Sequence, residues 1–278
     1  MTTKTCEQAI PFLADDRIFL GEGLFETIKI INHRPCYAEL HWQRMSSAAS
    51  KLQISYEQSY EAWYELLLQC IGCAKLQTGG IRVILTSGRA TRGLCVQGDH
   101  PSLLLEPFVY QSMCQALNLV TAPWLRDANN PVYQLKTVNY LESILARRHA
   151  LSMNADDALF FNMQHHITET TVANLFVIHQ NKLYTPPITC GVLPGIIRNR
   201  LLSLCLKHTI ECQEEVLQKE WIINADAVFV TNVLQGIRPV RSLDGVLLNL
   251  EHPLLNQLQD LLKEDEELSI ALKLSNSK

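Results

Sequence analysis

Polar and apolar residues alternate along "GLFETIKIIN", which puts Leu24, Glu26 and Ile28 on one face of a strand and Phe25, Thr27 and Lys29 on the other. "HRPC" follows as the turn into a second short strand, so this stretch predicts a hairpin. The period then lengthens. Leu40, Met45, Ala48, Ala49 and Leu52 recur at helical spacing in "AELHWQRMSSAASKLQI", and "EQSYEAWYELLLQCIGCAKL" is a second amphipathic helix. "GGIRVILTSG" and "PSLLLEPFVY" are β-rich runs bounded by glycine and proline, completing a small N-terminal α+β domain over 1–112. The pattern loosens around "QSMCQALN", which predicts a linker at 113–118. Beyond it, 119–278 predicts a larger β-rich domain with flanking helices. Its strands include "LNLVTAP", "ADDALFFN", "ANLFVIHQNKLYTPP" and "ADAVFVTN"; its helices include "RNRLLSLCLKH" and one after Pro253 with a charged, fraying end.

"YQLKTVNYLESILARRHA", 133–150, reads as a helix with a lysine just ahead of it. Asn139 followed three residues later by Glu142 is a helix-start signature, so helical residues are expected from about Tyr140. Val138, Leu141, Ile144 and Leu145 would form the buried stripe. Lys136 then ends the preceding extended segment. It is either an ordinary loop lysine or an amine aimed inward and partly desolvated, suited to carbonyl or proton-transfer chemistry.

Three further stretches carry candidate chemistry. In "ITETTVANLFV", Glu169 is an edge-strand carboxylate facing water or one pulled inward to serve a ring nitrogen. In "GVLPGIIRNRLLSL", the Pro194-Gly195 turn precedes a helix whose first amides, those of Ile196 and Ile197, can receive an anion. Arg44 in "HWQRM" sits on a helix one turn after His41, as a surface residue or a phosphate ligand.

Composition narrows the partners. A net charge of −4 with 47% hydrophobic residues gives no footprint for nucleic acid or an anionic membrane, and favours a small-molecule substrate. No secretory signal is legible at the start, and no stretch approaches the roughly 18 apolar residues of a membrane helix, so a cytoplasmic protein is expected. Nine cysteines in apolar contexts suit a reducing compartment. "CIGC" at Cys70 and Cys73 has no second pair at zinc spacing, and His165 and His166 read as turn residues, so no metal site is expected.

Taken in order, "LGEGLFETIKI", "HWQRM", "LKTVNYLESILA", "ADDALFFN", "ITETTVANLF", "YTPPITCGVLPGIIR" and "VFVTNVLQGIRPV" resemble the class IV, fold-type IV pyridoxal phosphate enzymes. That group includes D-amino acid aminotransferases, branched-chain aminotransferases and 4-amino-4-deoxychorismate lyases. The resemblance implies an α/β (α+β) fold of two domains with pyridoxal 5′-phosphate between them, and a homodimer. It implies that Lys136 holds the cofactor and moves protons, and that Glu169 faces the pyridine nitrogen. Arg44, the Ile196 and Ile197 amides and Asn232 would serve the phosphate.

Departures within the family bear on the reaction. D-amino acid aminotransferases carry a tyrosine where this chain has Phe25, and an Arg-x-His carboxylate trap where it reads "RGL", Arg92 to Leu94. Branched-chain enzymes are usually longer and lack an equivalent of "RATRGL". The lyases often show an Arg-Gly pair there. The resemblance therefore implies a lyase that makes 4-aminobenzoate and pyruvate in folate biosynthesis, with class IV aminotransferase as the alternative and a non-catalytic binding protein on the same scaffold as a third. Arg92 is the candidate for a substrate carboxylate and Arg89 its substitute. Thr27 and Phe25 are placed near the substrate.

Overall fold

The computed structural model describes residues 2–4, 15–111, 113 and 115–271. The expected fraying of the extreme C-terminus falls outside them. Internal contacts separate the chain into two compact units. The first comprises Met1–Gln111, Leu135–Asn139 and Glu266–Lys278; the second, Ser112–Gln134 and Tyr140–Asp265. Residues 135–139 and 266–278, which the hydrophobic pattern includes in 119–278, group by contacts with the first unit.

In the first unit the described residues form a sheet of β1 (Thr2–Lys4), β2 (Gly23–Ile31), β3 (Arg34–Pro35), β4 (Gly79–Thr86) and β5 (Ser102–Phe108), in the order β1-β5-β4-β2-β3. Helices α1 (Ala38–Lys51) and α2 (Tyr60–Cys73) cover it. The alternation in β2 is realised: Leu24, Ile28 and Ile30 are buried and pack with Met45, Ala48 and Ala49 of α1 and Trp63 and Leu67 of α2. Glu26 shares that inward face and is 1% exposed. The segment around Lys136 is stitched to the start of β2. Phe25 N donates to Lys136 O at 2.9 Å, and Val138 N donates to Gly23 O at 3.0 Å. Those bonds explain why 135–139 belong to this unit.

The second unit holds β6 (Leu117–Arg126), β7 (Asp157–Asn162), β8 (Ile167–Thr170), β9 (Asn174–His179), β10 (Lys182–Thr185), β11 (Cys212–Glu214), β12 (Ala227–Asn232), β13 (Gly236–Leu243) and β14 (Val246–Leu247). Their order is β11-β10-β9-β12-β13-β6-β7-β8, and β8 also pairs with β9, so six strands close on themselves. Closure gives β8 a partner on both sides, while β10, β11 and β14 lie outside the closed ring. Its helices are α3 (Leu141–Ser152), α4 (Ile196–Lys207) and α5 (Lys219–Ile223); α6 (Pro253–Ala271) ends the described chain.

Helix α3 departs from expectation in two ways. Its N-cap is Tyr140, with no side-chain bond, so Asn139 and Glu142 do not form a capping box. Glu142 instead receives Trp124 Nε1 at 3.1 Å, Arg126 Nε at 3.0 Å and Tyr133 OH at 3.2 Å, because the buried Arg126 guanidinium needs a counter-charge. The expected stripe is also turned outward: Leu141, Ile144 and Leu145 are exposed, and Ala146 and Ala150 are buried. These alanines pack with Ala122, Ala158 and Phe160, where the small side chains let the helix lie close against the sheet.

Candidate active site

Lys136 is half-buried, and its Nζ lies 4.3 Å from the centre of the Phe25 ring. Backbone bonds on either side fix where the side chain starts, and the aromatic face receives the ammonium. Arg82 approaches the same ring at 5.9 Å. Lys136 thus stands against an aromatic wall, in an extended segment ahead of α3.

Arg44, on α1, meets Glu26 in a two-point pair: Nε to Oε1 at 2.7 Å and Nη2 to Oε2 at 2.5 Å. His41, one turn earlier and fully buried, places Nδ1 2.6 Å from Glu26 Oε2. Burial alone would push the Glu26 carboxyl up, but Arg44 and His41 outweigh it and hold it down at about 2. Burial pushes the His41 imidazole below its ordinary range, against the pull of Glu26, and Arg44 and Lys136 add to that push. A neutral ring beside an ionised carboxylate must carry its proton on Nδ1. Nε2 is then an acceptor, buried with no hydrogen-bond partner among the described residues.

The loop that carries Arg92 is exposed from 91 to 97. Arg17 pins it: Nη1 donates to Gly93 O at 3.1 Å and Nη2 to Leu94 O at 3.5 Å, while Nε pairs with Glu22. Arg89 is engaged on the surface by Asp15, with Nη2 2.7 Å from Oδ2. Thr27 is half-buried on the Phe25 face of β2.

In the second unit Glu169 lies on β8, and its side chain is 13% exposed. It is not a water-facing edge residue. Arg126 Nη1 reaches Oε1 at 3.3 Å, and Oε2 accepts from Asn174 Nδ2 at 3.2 Å and from Leu193 N at 3.1 Å. Arg126 is itself 4% exposed, bridges Glu142 and Glu169, and lies 3.5 Å from the Phe160 ring centre. Gly195 is the N-cap of α4 and makes no side-chain cap bond. A Cβ there would come within 2.0 Å of Asn174 Oδ1, so Asn174 couples the carboxylate to the start of the helix and demands glycine at the cap. Asn232, at the end of β12, uses Oδ1 to accept from Leu234 N and Gln235 N, and so shapes its own turn.

Sequence reasoning missed Glu26 and Arg126 as partners of the candidate residues. Glu26 left a signal, a carboxylate on the apolar face of an alternating strand. Arg126, in "APWLRD", left none.

The amino-transferase class IV family model matches residues 23–243. A solved structure from Legionella pneumophila subsp. pneumophila str. Philadelphia 1, named "Putative 4-amino-4-deoxychorismate lyase", is 48% identical, covers 96% of this chain and 100% of its own, and superposes with a TM-score of 0.93. The D-alanine aminotransferase of Bacillus licheniformis is 28% identical over 81% of this chain and 80% of its own. The branched-chain amino acid aminotransferase structure from Escherichia coli is 25% identical, covers 91% and 88%, and has a TM-score of 0.85. Fold, motif order and this match along most of the sequence agree: the chain belongs to the amino-transferase class IV family, enzymes that work with pyridoxal phosphate.

Proposed function

We propose that the protein is a 4-amino-4-deoxychorismate lyase, releasing 4-aminobenzoate and pyruvate. The observation that carries this reading is the 48% identity and TM-score of 0.93 along 96% of the chain to the Legionella protein of that name. The Arg92-Gly93 pair supports it, since the histidine of the D-amino acid carboxylate trap is absent from "RGL".

The residues present suit pyridoxal phosphate. A helix start capped by glycine without a side-chain bond offers its amides to a dianion, and the Asn174 side chain packed against Gly195 leaves no space for a Cβ at the cap. Ile196, Ile197 and Arg44 would hold the phosphate, Glu169 the ring nitrogen and Lys136 the carbonyl carbon. Bound there, the cofactor supplies an electron sink next to the substrate's amine-bearing carbon.

The chain's own groups do the rest. Lys136 Nζ, as free amine, takes the proton from that carbon, and the ring becomes aromatic as the enolpyruvyl group departs. Glu169, oriented by Arg126 and two amide donors, would hold a proton at the ring nitrogen. Arg92 would receive a substrate carboxylate, with Thr27 and Phe25 lining its approach. The exposed apolar face of α3, with Leu141, Ile144 and Leu145, suits a homodimer interface. Nine cysteines in apolar contexts suit a cytoplasmic protein.

Purified protein supplied with 4-amino-4-deoxychorismate should release pyruvate and 4-aminobenzoate in equal amounts. No release, together with robust amino transfer from D-alanine or a branched-chain amino acid to a keto acid, would favour the aminotransferase reading that the Bacillus licheniformis relative supports. A protein that stays colourless with the cofactor and catalyses neither reaction would mark a binding protein.

A further inference from the structure

We propose that Glu26 is a positioning residue for the cofactor's phosphate, acting through Arg44. The proposal rests on Arg44 being a phosphate ligand, and adds what makes it an effective one.

An arginine on a helix has a long, mobile side chain that must be ordered before it can bind an anion in one geometry. Here two nitrogens of Arg44, Nε and Nη2, meet both oxygens of Glu26, which fixes the plane of the guanidinium as well as its place. Glu26 is in turn immobilised. Its strand is registered against β4, with Glu26 opposite Val83, and His41 Nδ1 occupies Oε2 from one turn along α1. Its carboxyl, held down at about 2, stays charged throughout the neutral range, so the clamp does not loosen with pH.

The location argues for a role beyond stability. Glu26 lies between Leu24 and Ile28 on the inward face of β2, where the pattern asks for an apolar side chain. Replacing a buried ion pair by well-packed apolar groups is often neutral or stabilising, so packing alone does not call for three titratable groups in this place. What the cluster achieves is a guanidinium of fixed orientation within the unit that carries Lys136, whose charge is felt at His41.

The test compares pyridoxal 5′-phosphate with pyridoxal, which lacks the phosphate, by titrating the full-length chain freed of cofactor and following visible absorbance. Wild type should prefer the phosphorylated form. Glu26→Gln should weaken pyridoxal 5′-phosphate about tenfold or more, the size of one lost charge-assisted contact, and leave pyridoxal within about twofold. Equal weakening of both, or of neither, overturns the proposal. Arg44→Gln separates the two layers: if it leaves the preference intact, the phosphate reading of Arg44 falls. If Arg44→Gln removes the preference while Glu26→Gln retains it, only the positioning role falls. Should Glu26→Gln fail to fold, Arg44→Lys keeps the charge beside Glu26 without the planar fork. It should lose the preference to a similar degree, and full retention there overturns the proposal.

Discussion

Glu26 and Glu169 are both carboxylates paired with an arginine, and they are built for opposite ends. Glu26 is 1% exposed, and Arg44 and His41 surround it with charge-assisted bonds. Glu169 is 13% exposed and is held by one arginine and two neutral amides. The first carboxylate spends its hydrogen-bonding capacity inside the protein, so it can act only by holding something else. The second sits beside a helix start with a glycine cap, where a carboxylate can serve a ligand. Burial with full satisfaction marks a positioning group, and partial exposure with fixed orientation leaves a carboxylate open to a ligand.

The largest expected effect lies outside both. Lys136→Ala should lower kcat by about 10³-fold or more and abolish the cofactor's visible absorbance, while a urea midpoint near wild type shows that the fold survives. Retained absorbance would remove Lys136 from its role.

The two carboxylates should then part company. Glu169→Ala should cut kcat by about 10²-fold and destabilise by only about 1–2 kcal/mol, leaving Arg126 still paired with Glu142. Glu26→Ala should cost about 3–5 kcal/mol in urea unfolding, because it strands a mostly buried arginine. If the stability losses came out in the reverse order, the division of labour between them would be wrong.

Acid should sharpen the contrast further. His41 is buried neutral with its pKa depressed, so unfolding takes up a proton below 6.5, its ordinary value. Stability should fall by up to about 1 kcal/mol per pH unit as pH drops through that range, and His41→Gln should flatten the decline. Glu26, held at about 2 against an ordinary 4.5, adds stability that is complete above 4.5 and is lost only as pH falls toward 2. Unfolding energies that stay level between pH 8 and 5.5 would contradict a neutral, buried His41.

The smallest effects concern the loop arginines. Arg89→Ala removes an exposed pair with Asp15 and should leave the urea midpoint and KM unchanged. Arg92→Ala should raise KM with kcat within about twofold. A raised KM for Arg89→Ala instead would exchange their roles.

Much of this was legible along the chain. The alternation in "GLFETIKIIN" gave the hairpin and its two faces, "ANLFVIHQNKLYTPP" gave a strand, and Pro194-Gly195 marked the start of α4. Lys136 could be placed ahead of a helix because the elements around it are set by short-range spacing. The same reasoning failed on α3. Leucine and isoleucine signal burial by their size, but on this helix it is Ala146 and Ala150 that turn inward, where they pack with Ala122, Ala158 and Phe160.

By itself, then, the sequence determined which stretches are strands and helices and which side chains could do chemistry, since periodicity and residue type are properties of a few neighbours. Tertiary structure decided how those side chains are held. Arg44 meets a glutamate 18 residues earlier, and Glu169 meets an arginine 43 residues earlier, because strand pairing and helix packing bring those segments together. Ion pairs and burial depend on that three-dimensional proximity, and no local pattern encodes it.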